Sequence, residues 1–146
     1  MMDLGVTATV LWLAINCYHE CRYEPVAGQV AVAQVVLNRA SKCEAPVKDV
    51  ILAEKQFSWT GYSERKILLF SPLKDDEVNA FQTCLETSFL ATVTPDLTNG
   101  ATHYHADYVS PSWASKMKHV VTIGHHLFYR GEEFRCSKSK FYRDGR

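Results

Sequence analysis

The segment from Leu4 to Ile15 carries no charged side chain, and this limits the fold more than any other feature of the chain. Asp3 is placed to cap a helix that runs to about residue 20. Val6, Val10, Leu13 and Cys17 recur at i, i+4, i+7 and i+11, while the other side carries Leu11, Ala14, Ile15 and Tyr18. A helix apolar nearly all round belongs in a core. It is too short to span a bilayer, and no basic residue precedes Arg22, so the charged start of a signal peptide is missing. With 146 residues, the expected result is one domain built around that helix. Glu20 continues the Val6–Cys17 stripe three residues on, so a carboxylate emerges on the inward side of a buried helix. Desolvation there disfavours the charged form and raises the pKa, as a general acid near neutral pH requires. A helix-end Glu paired with Arg22 or His19 is the alternative reading of the same position.

Pro25 disfavours helical geometry at Glu24 and opens a second helix over about 25 to 40, ending in Asn38-Arg39. It presents Val26, Val30, Ala33 and Leu37 on one face. Pro46 opens a short third helix with Val47, Val50 and Ile51. Residues 56 to 62 are aromatic without periodicity and read as a loop. From about 75 to 91 a further helix begins in Asp75, Asp76 and Glu77 and repeats Val78, Phe81, Leu85 and Phe89. Thr94 to Gly100 is turn-rich, and Ala101 to His105 alternates like a strand. Pro111 to Met117 reads as a short helix, and 119–123 with 126–129 as a hairpin around Gly124-His125. The fold class is α+β, mainly α, with a small β-hairpin element. One domain over residues 1–136 is followed by a cationic tail, 137–146, where Lys138, Lys140, Arg143 and Arg146 outnumber Asp144.

Sixteen basic residues balance sixteen acidic ones, which argues against nucleic acid as a partner. The five cysteines, Cys17, Cys21, Cys43, Cys84 and Cys136, form no CxxC pair and are expected to be reduced, mostly buried thiols. A thiol-protease reading would pair Cys17, Cys21 or Cys84 with a histidine, but Cys17 lies on an apolar helix face. Among the histidines, His103 and His105 share a face if they lie on a strand, and His125-His126 follows in the hairpin. With Asp107 or Glu20 they raise a zinc reading, against which stands the lack of HExxH or an equally specific spacing. Phe57/Trp59/Tyr62 and Tyr104/Tyr108/Trp113 are aromatic groups able to stack on sugar rings or nucleobases, or to fill a core.

Four blocks occur in a telling order. The first is Cys17-Tyr18-His19-Glu20-Cys21-Arg22-Tyr23-Glu24-Pro25, continuing from Gly28-Gln29 to Leu37-Asn38-Arg39. Next come Gln56-Phe57-Ser58-Trp59, then Gly100-Ala101-Thr102-His103-Tyr104-His105 with Pro111-Ser112-Trp113-Ala114, and finally Ile123-Gly124-His125-His126-Leu127-Phe128-Tyr129. Together they resemble the SleB-like cell wall hydrolases, the spore-cortex-lytic enzymes and related phage endolysins. His19 and Cys21 stand where that pattern has small residues. The resemblance implies a lysozyme-like, lytic-transglycosylase-like fold acting on peptidoglycan glycan strands, with Glu20 as the catalytic acid. On this reading Gln56, Ser58, Thr102, His103 and Tyr104 position the substrate, and Gln56 and Tyr104 hold N-acetyl groups or orient Glu20. No cofactor or metal is called for. A hydrolytic muramidase would need a second carboxylate, Glu24 or Asp107, whereas a lytic transglycosylase needs none and is preferred. A zinc-dependent peptidoglycan peptidase or amidase is the alternative from another class. The expected protein is a monomeric, phage-type endolysin held in the host cytoplasm until a holin-type lesion admits it to the wall. Its basic tail would make weak contact with anionic envelope lipids.

Overall fold

Proline, acidic residues and small side chains decide where the helices of this chain begin and how closely they pack. The structure, a computed structural model, describes residues 4–53, 74–131 and 134–136. Asp3, Gln56, Ser58, the aromatic loop 56–62 and the tail 137–146 lie outside them. Helix α1 (Leu4–Cys21) buries Val10, Leu13, Ala14, Ile15, Cys17 and Tyr18, as its pattern predicts, but leaves Val6 and Leu11 exposed. The fully enclosed helix is instead α2 (Val26–Cys43), in which every residue from Gly28 to Val36 is buried. It follows Pro25, whose φ of −59° suits a helix start. It runs past the expected end at Asn38-Arg39 and closes at Glu44, which takes the left-handed conformation, while the Ala45 N–H donates to the Ala40 carbonyl. Helix α3 (Val47–Leu52) starts after Pro46 and buries Val47, Val50 and Ile51.

Helix α4 (Asp75–Val93) opens with the three expected acids, and of the stripe predicted for it Phe81 and Leu85 pack against the core while Val78 and Phe89 do not. Val78 is 47% and Phe89 42% exposed, and the buried residues are Cys84, Thr87, Ser88 and Ala91. Small side chains let α4 lie close against both α1 and α2, and Thr87 donates to the buried Gln29 amide oxygen across that contact. The core divides around α2. Leu13, Val36, Val50 and Ile51 pack on one side. Ala14, Cys17, Val32, Val35, Cys84 and Phe128 pack on the other.

The turn-rich segment after α4 is organised by Asp96. Its carboxylate accepts from the Thr98 and Gly100 backbone N–H groups and the Thr98 hydroxyl. Burial works against its charge, but these bonds and one from Asn38 prevail and hold it below the usual carboxylate range. Strands β1 (His103–Ala106), β2 (Lys118–Ile123) and β3 (His126–Arg130) form one antiparallel sheet in the order β1-β3-β2, so the expected hairpin gains a third strand. Tyr104 pairs with Phe128 and His103 with Tyr129. Strand alternation then sends Tyr104 and Phe128 toward the helices, and His103, His105 and Tyr129 to the outer face. There a 3-10 turn (Ser112–Lys116) lays Trp113 against all three rings.

The expectation of five reduced thiols needs correction. Cys43, at the end of α2, is disulfide-bonded to Cys136, which lies 93 residues further along the chain. Nothing in local spacing reveals the pair, because the chain after β3 folds back beside the C-terminal end of α2. Cys17, Cys21 and Cys84 are buried free thiols, as expected. Closing so long a loop removes chain entropy from the unfolded state. Reduction, or Cys43→Ser, should therefore cost about 2–4 kcal/mol of unfolding free energy in urea titrations. An unchanged midpoint in the reduced protein would deny the cross-link a stabilising role.

Candidate active site

The end of α1, the bend after it and the sheet's near edge enclose a cleft of about 490 Å³. One wall is the chain from His19 to Glu24. The other comprises Ala106 to Tyr108, beyond β1, and His125-His126 at the β2–β3 turn. Glu20 lies on the first wall, half-buried, where the last turn of a core helix meets solvent. Burial raises its pKa, and the hydrogen bond from Tyr104 and the positive charge of Arg39 lower it again. Burial wins, so the carboxyl keeps its proton to higher pH than an ordinary Glu. The Tyr104 hydroxyl donates to Glu20 Oε2 at 3.4 Å. Burial, and then the Glu20 charge, holds the Tyr104 phenol well above its ordinary pKa, so that it remains a donor.

Glu24 has a different fate. Its Oε1 accepts the His125 backbone N–H at 2.7 Å and lies 2.8 Å from His126 Nδ1. The two side chains of this Glu24–His126 pair are only 8% and 10% exposed. Gln29 supports the arrangement by donating to the Arg22 and Glu24 carbonyls. Gly124 is required at the turn: φ is +60°, and a Cβ there would lie 2.8 Å from Glu24 Oε1. His126 in turn meets the Tyr104 ring edge-on at 5.2 Å, so the clamp abuts the residue that touches Glu20. Asp107, the other candidate second carboxylate, is exposed on the opposite wall, 3.3 Å from His125 Nδ1.

Of the sequence-predicted site residues, the structure brings together Glu20 and Tyr104. Thr102 and His103 do not join them. The buried Thr102 hydroxyl accepts the Gly131 N–H and shares a hydrogen bond with His103 Nδ1. His103 packs on Trp113 and Phe134. Burial, with Arg39 and Lys42 nearby, pushes its pKa down to about 4, and the ring stays neutral. The alternation that places Tyr104 inward necessarily turns His103 outward. Gln56 and Ser58 fall outside the described residues. Sequence reasoning gave no role to Arg39 or to the Glu24–His126 clamp. Arg39 is buried, and its Nε donates to the Thr102 carbonyl at 2.6 Å. Glu24-Pro25 was the visible signal for the clamp, since a residue held extended before proline points its side chain away from either helix.

The thiol and metal readings find no support in this geometry. Cys17 Sγ lies 2.9 Å from Cys84 Sγ and 3.2 Å from Cys21 Sγ. The contact with Cys21 and then burial push the Cys17 thiol up, and the contact with Cys17 and burial do the same for Cys84. Neither Cys17 nor Cys84 is a thiolate nucleophile near neutral pH. His105 Nδ1 donates to the Ala106 carbonyl and its Nε2 meets the Tyr129 hydroxyl, while His119 bonds Thr122. Among the described residues, no three His, Cys, Asp or Glu side chains converge on a metal position. His19, beside Glu20, has its pKa lowered by burial and by Arg22, so it brings no positive charge to the acid.

Residues 23–129 match the Cell Wall Hydrolase family. No curated protein matches the chain. Among solved structures, the catalytic domain of the germination-specific lytic transglycosylase SleB from Bacillus anthracis superposes with a TM-score of 0.67 at 26% identity, covering 88% of this chain and 97% of that one. The catalytic domain of the Bacillus cereus SleB protein gives 0.63 at 28%, covering 84% and 91%. The mainly helical, lysozyme-like architecture is thus shared over most of both molecules.

A carboxyl with a raised folded-state pKa contributes stability that is full below its unfolded value and lost as pH rises through the folded value. At pH 7 Glu20 is therefore a liability to the fold. Glu20→Gln should raise the thermal midpoint at pH 7 and lose that advantage near pH 4. Equal midpoints at both pH values would contradict the desolvated acid.

Proposed function

Since the chain belongs to the cell wall hydrolase family, we propose that it is a peptidoglycan glycosidase. It cleaves the β-1,4 bond between N-acetylmuramic acid and N-acetylglucosamine as a lytic transglycosylase, with Glu20 as both acid and base. The observation that carries this reading is the unequal treatment of two nearby carboxyls. Glu20 is desolvated, held by Tyr104 and open to the cleft, while Glu24 is committed to His125 and His126. A single working carboxyl suffices for a transglycosylase. Protonated Glu20 gives its proton to the glycosidic oxygen as the bond from the muramic C1 breaks through an oxocarbenium-like state. Glu20, now a carboxylate, takes the proton of the muramoyl 6-hydroxyl. The oxygen of that hydroxyl closes on C1 to give a 1,6-anhydro ring, and no water is consumed. Tyr104 donates to the carboxylate formed between the two steps and so helps to stabilise it. The positive charge of Arg39 acts in the same direction.

The hydrolytic muramidase is the second reading, favoured by the place of Asp107 on the opposite wall of the cleft, where it would activate a water. We also propose that the enzyme works outside the reducing cytoplasm, a reading that the Cys43–Cys136 disulfide supports. In a phage-type endolysin waiting in the host cytoplasm for a holin-type lesion, the bond would close on release. The protein would act as a monomer, and its basic tail would rest on anionic envelope lipids.

Mass spectrometry of the soluble products from purified peptidoglycan tests the chemistry. Anhydro-muramic ends are expected; reducing muramic ends would select the muramidase, and free peptides would exclude both. Glu20→Gln should lower turnover by roughly 10²–10⁴-fold. Tyr104→Phe removes a bond that favours the charged form of Glu20. Its pKa should then rise further, and the alkaline limb of the pH–rate profile should move to higher pH. A limb that stays in place would remove Tyr104 from the control of Glu20.

A further inference from the structure

Two tyrosines stand almost wholly in solvent at the cleft. Tyr23, on the wall that carries Glu20, is 87% exposed, and Tyr108, on the wall formed beyond β1, is 84% exposed. Neither ring gains stability from burial in the free protein, although a tyrosine ring has a large apolar surface to bury. Tyr23 is nevertheless held in place. Arg22 Nη1 donates to the Tyr18 carbonyl at 2.7 Å, which anchors the guanidinium. The same guanidinium lies 4.6 Å from the buried Tyr18 ring and 4.8 Å from the Tyr23 ring. Tyr23 therefore rests against an anchored cation while most of its ring stays open to a ligand.

We propose that Tyr23 and Tyr108 are stacking platforms for the amino-sugar rings on either side of the bond above Glu20, and that they set the affinity for glycan strands. This rests on the glycosidase reading. A pyranose ring offers aliphatic C–H groups on its faces and polar groups around its edge, which suits an exposed aromatic face beside polar cleft walls. A nucleobase would stack as well, but its phosphates would meet Glu20, Glu24 and Asp107, which line the same cleft. The partner is thus a neutral sugar face. Stacking on the two rings would hold the strand in the cleft that Glu20 lines.

The test uses the full chain with Glu20→Gln, so that bound strands are not cut, and measures co-sedimentation with purified peptidoglycan sacculi. Tyr23→Ala and Tyr108→Ala should each weaken apparent binding by roughly three- to tenfold, and the double variant should lose more. Tyr23→Phe should bind like the parent, because the ring and not the hydroxyl does the stacking. If the parent sediments and both alanine variants sediment equally well, the platforms are overturned and the glycosidase reading stands. If Tyr23→Phe is as weak as Tyr23→Ala, stacking is overturned in favour of a hydroxyl contact. A parent that does not sediment at all would overturn the substrate assignment, and the platforms with it.

Discussion

Helix α2 is enclosed on every side from Gly28 to Val36, so the polar side chains it buries must find partners inside the protein. An unsatisfied buried amide or guanidinium costs on the order of 1–3 kcal/mol or more, and the helix buries Gln29, Gln34 and Arg39, with Asn38 half-buried beside them. All four bind the connecting segments. Gln29 donates to the Arg22 and Glu24 carbonyls and accepts from Thr87 on α4. Gln34 donates to the Thr94 and Pro95 carbonyls and accepts the Leu97 N–H. Asn38 reaches the Asp96 carboxylate and the Ala101 carbonyl, and Arg39 reaches the Thr102 carbonyl. These bonds fix both approaches to the cleft. Gln29 sets the bend behind Glu20, while Asn38 and Arg39 set the entry of β1, which delivers Tyr104 two residues later. A helix can thus shape an active site to which it contributes no reacting group.

Periodicity made most of the helical frame legible, because burial of an apolar stripe is a local decision repeated every turn. It misplaced the centre. The charge-free stretch Leu4–Ile15 promised that α1 would be the enclosed helix, yet α2 takes that role with Gln29, Gln34 and Arg39 inside, because hydrogen bonds offset their burial and no hydropathy pattern records such partners. For α4 half of the large-residue stripe misled: Phe81 and Leu85 pack inward, but Val78 and Phe89 face solvent while the small Thr87 and Ser88 face in at the close helix contact. The stripe singled out Glu20 and the motif Tyr104, and the structure brings the two within hydrogen-bond reach. His103 shared that motif, but strand alternation turned it outward, and Thr102, which precedes the strand, commits its hydroxyl to Gly131 and His103. The Cys43–Cys136 bond and the Glu24–His126 clamp were invisible for a single reason: each joins positions more than ninety residues apart, which only the tertiary path brings together.

Glu20, the acid of the proposed mechanism, and Glu24, a structural carboxyl, differ in the partners that the fold gives them. They lie four residues apart and line the same cleft. Were α1 to continue through Glu24, the two would share a helix face and compete as like charges, each raising the other's pKa. Pro25 prevents this. It ends α1's direction at the bend, turns Glu24 toward the hairpin, and presents it to a backbone N–H and an imidazole that satisfy its charge. Glu20 receives one long bond from a phenol and otherwise bears the cost of burial. The difference in partners becomes a difference in role: Glu24 is held by the hairpin, while desolvated Glu20 is the carboxyl that the proposed mechanism uses as its acid. The bond network around Glu24 also braces His126 against Tyr104, which donates to Glu20, so the two carboxyls are linked through the two rings between them. A substitution at Glu24 would therefore be felt at Glu20 without any contact between the two.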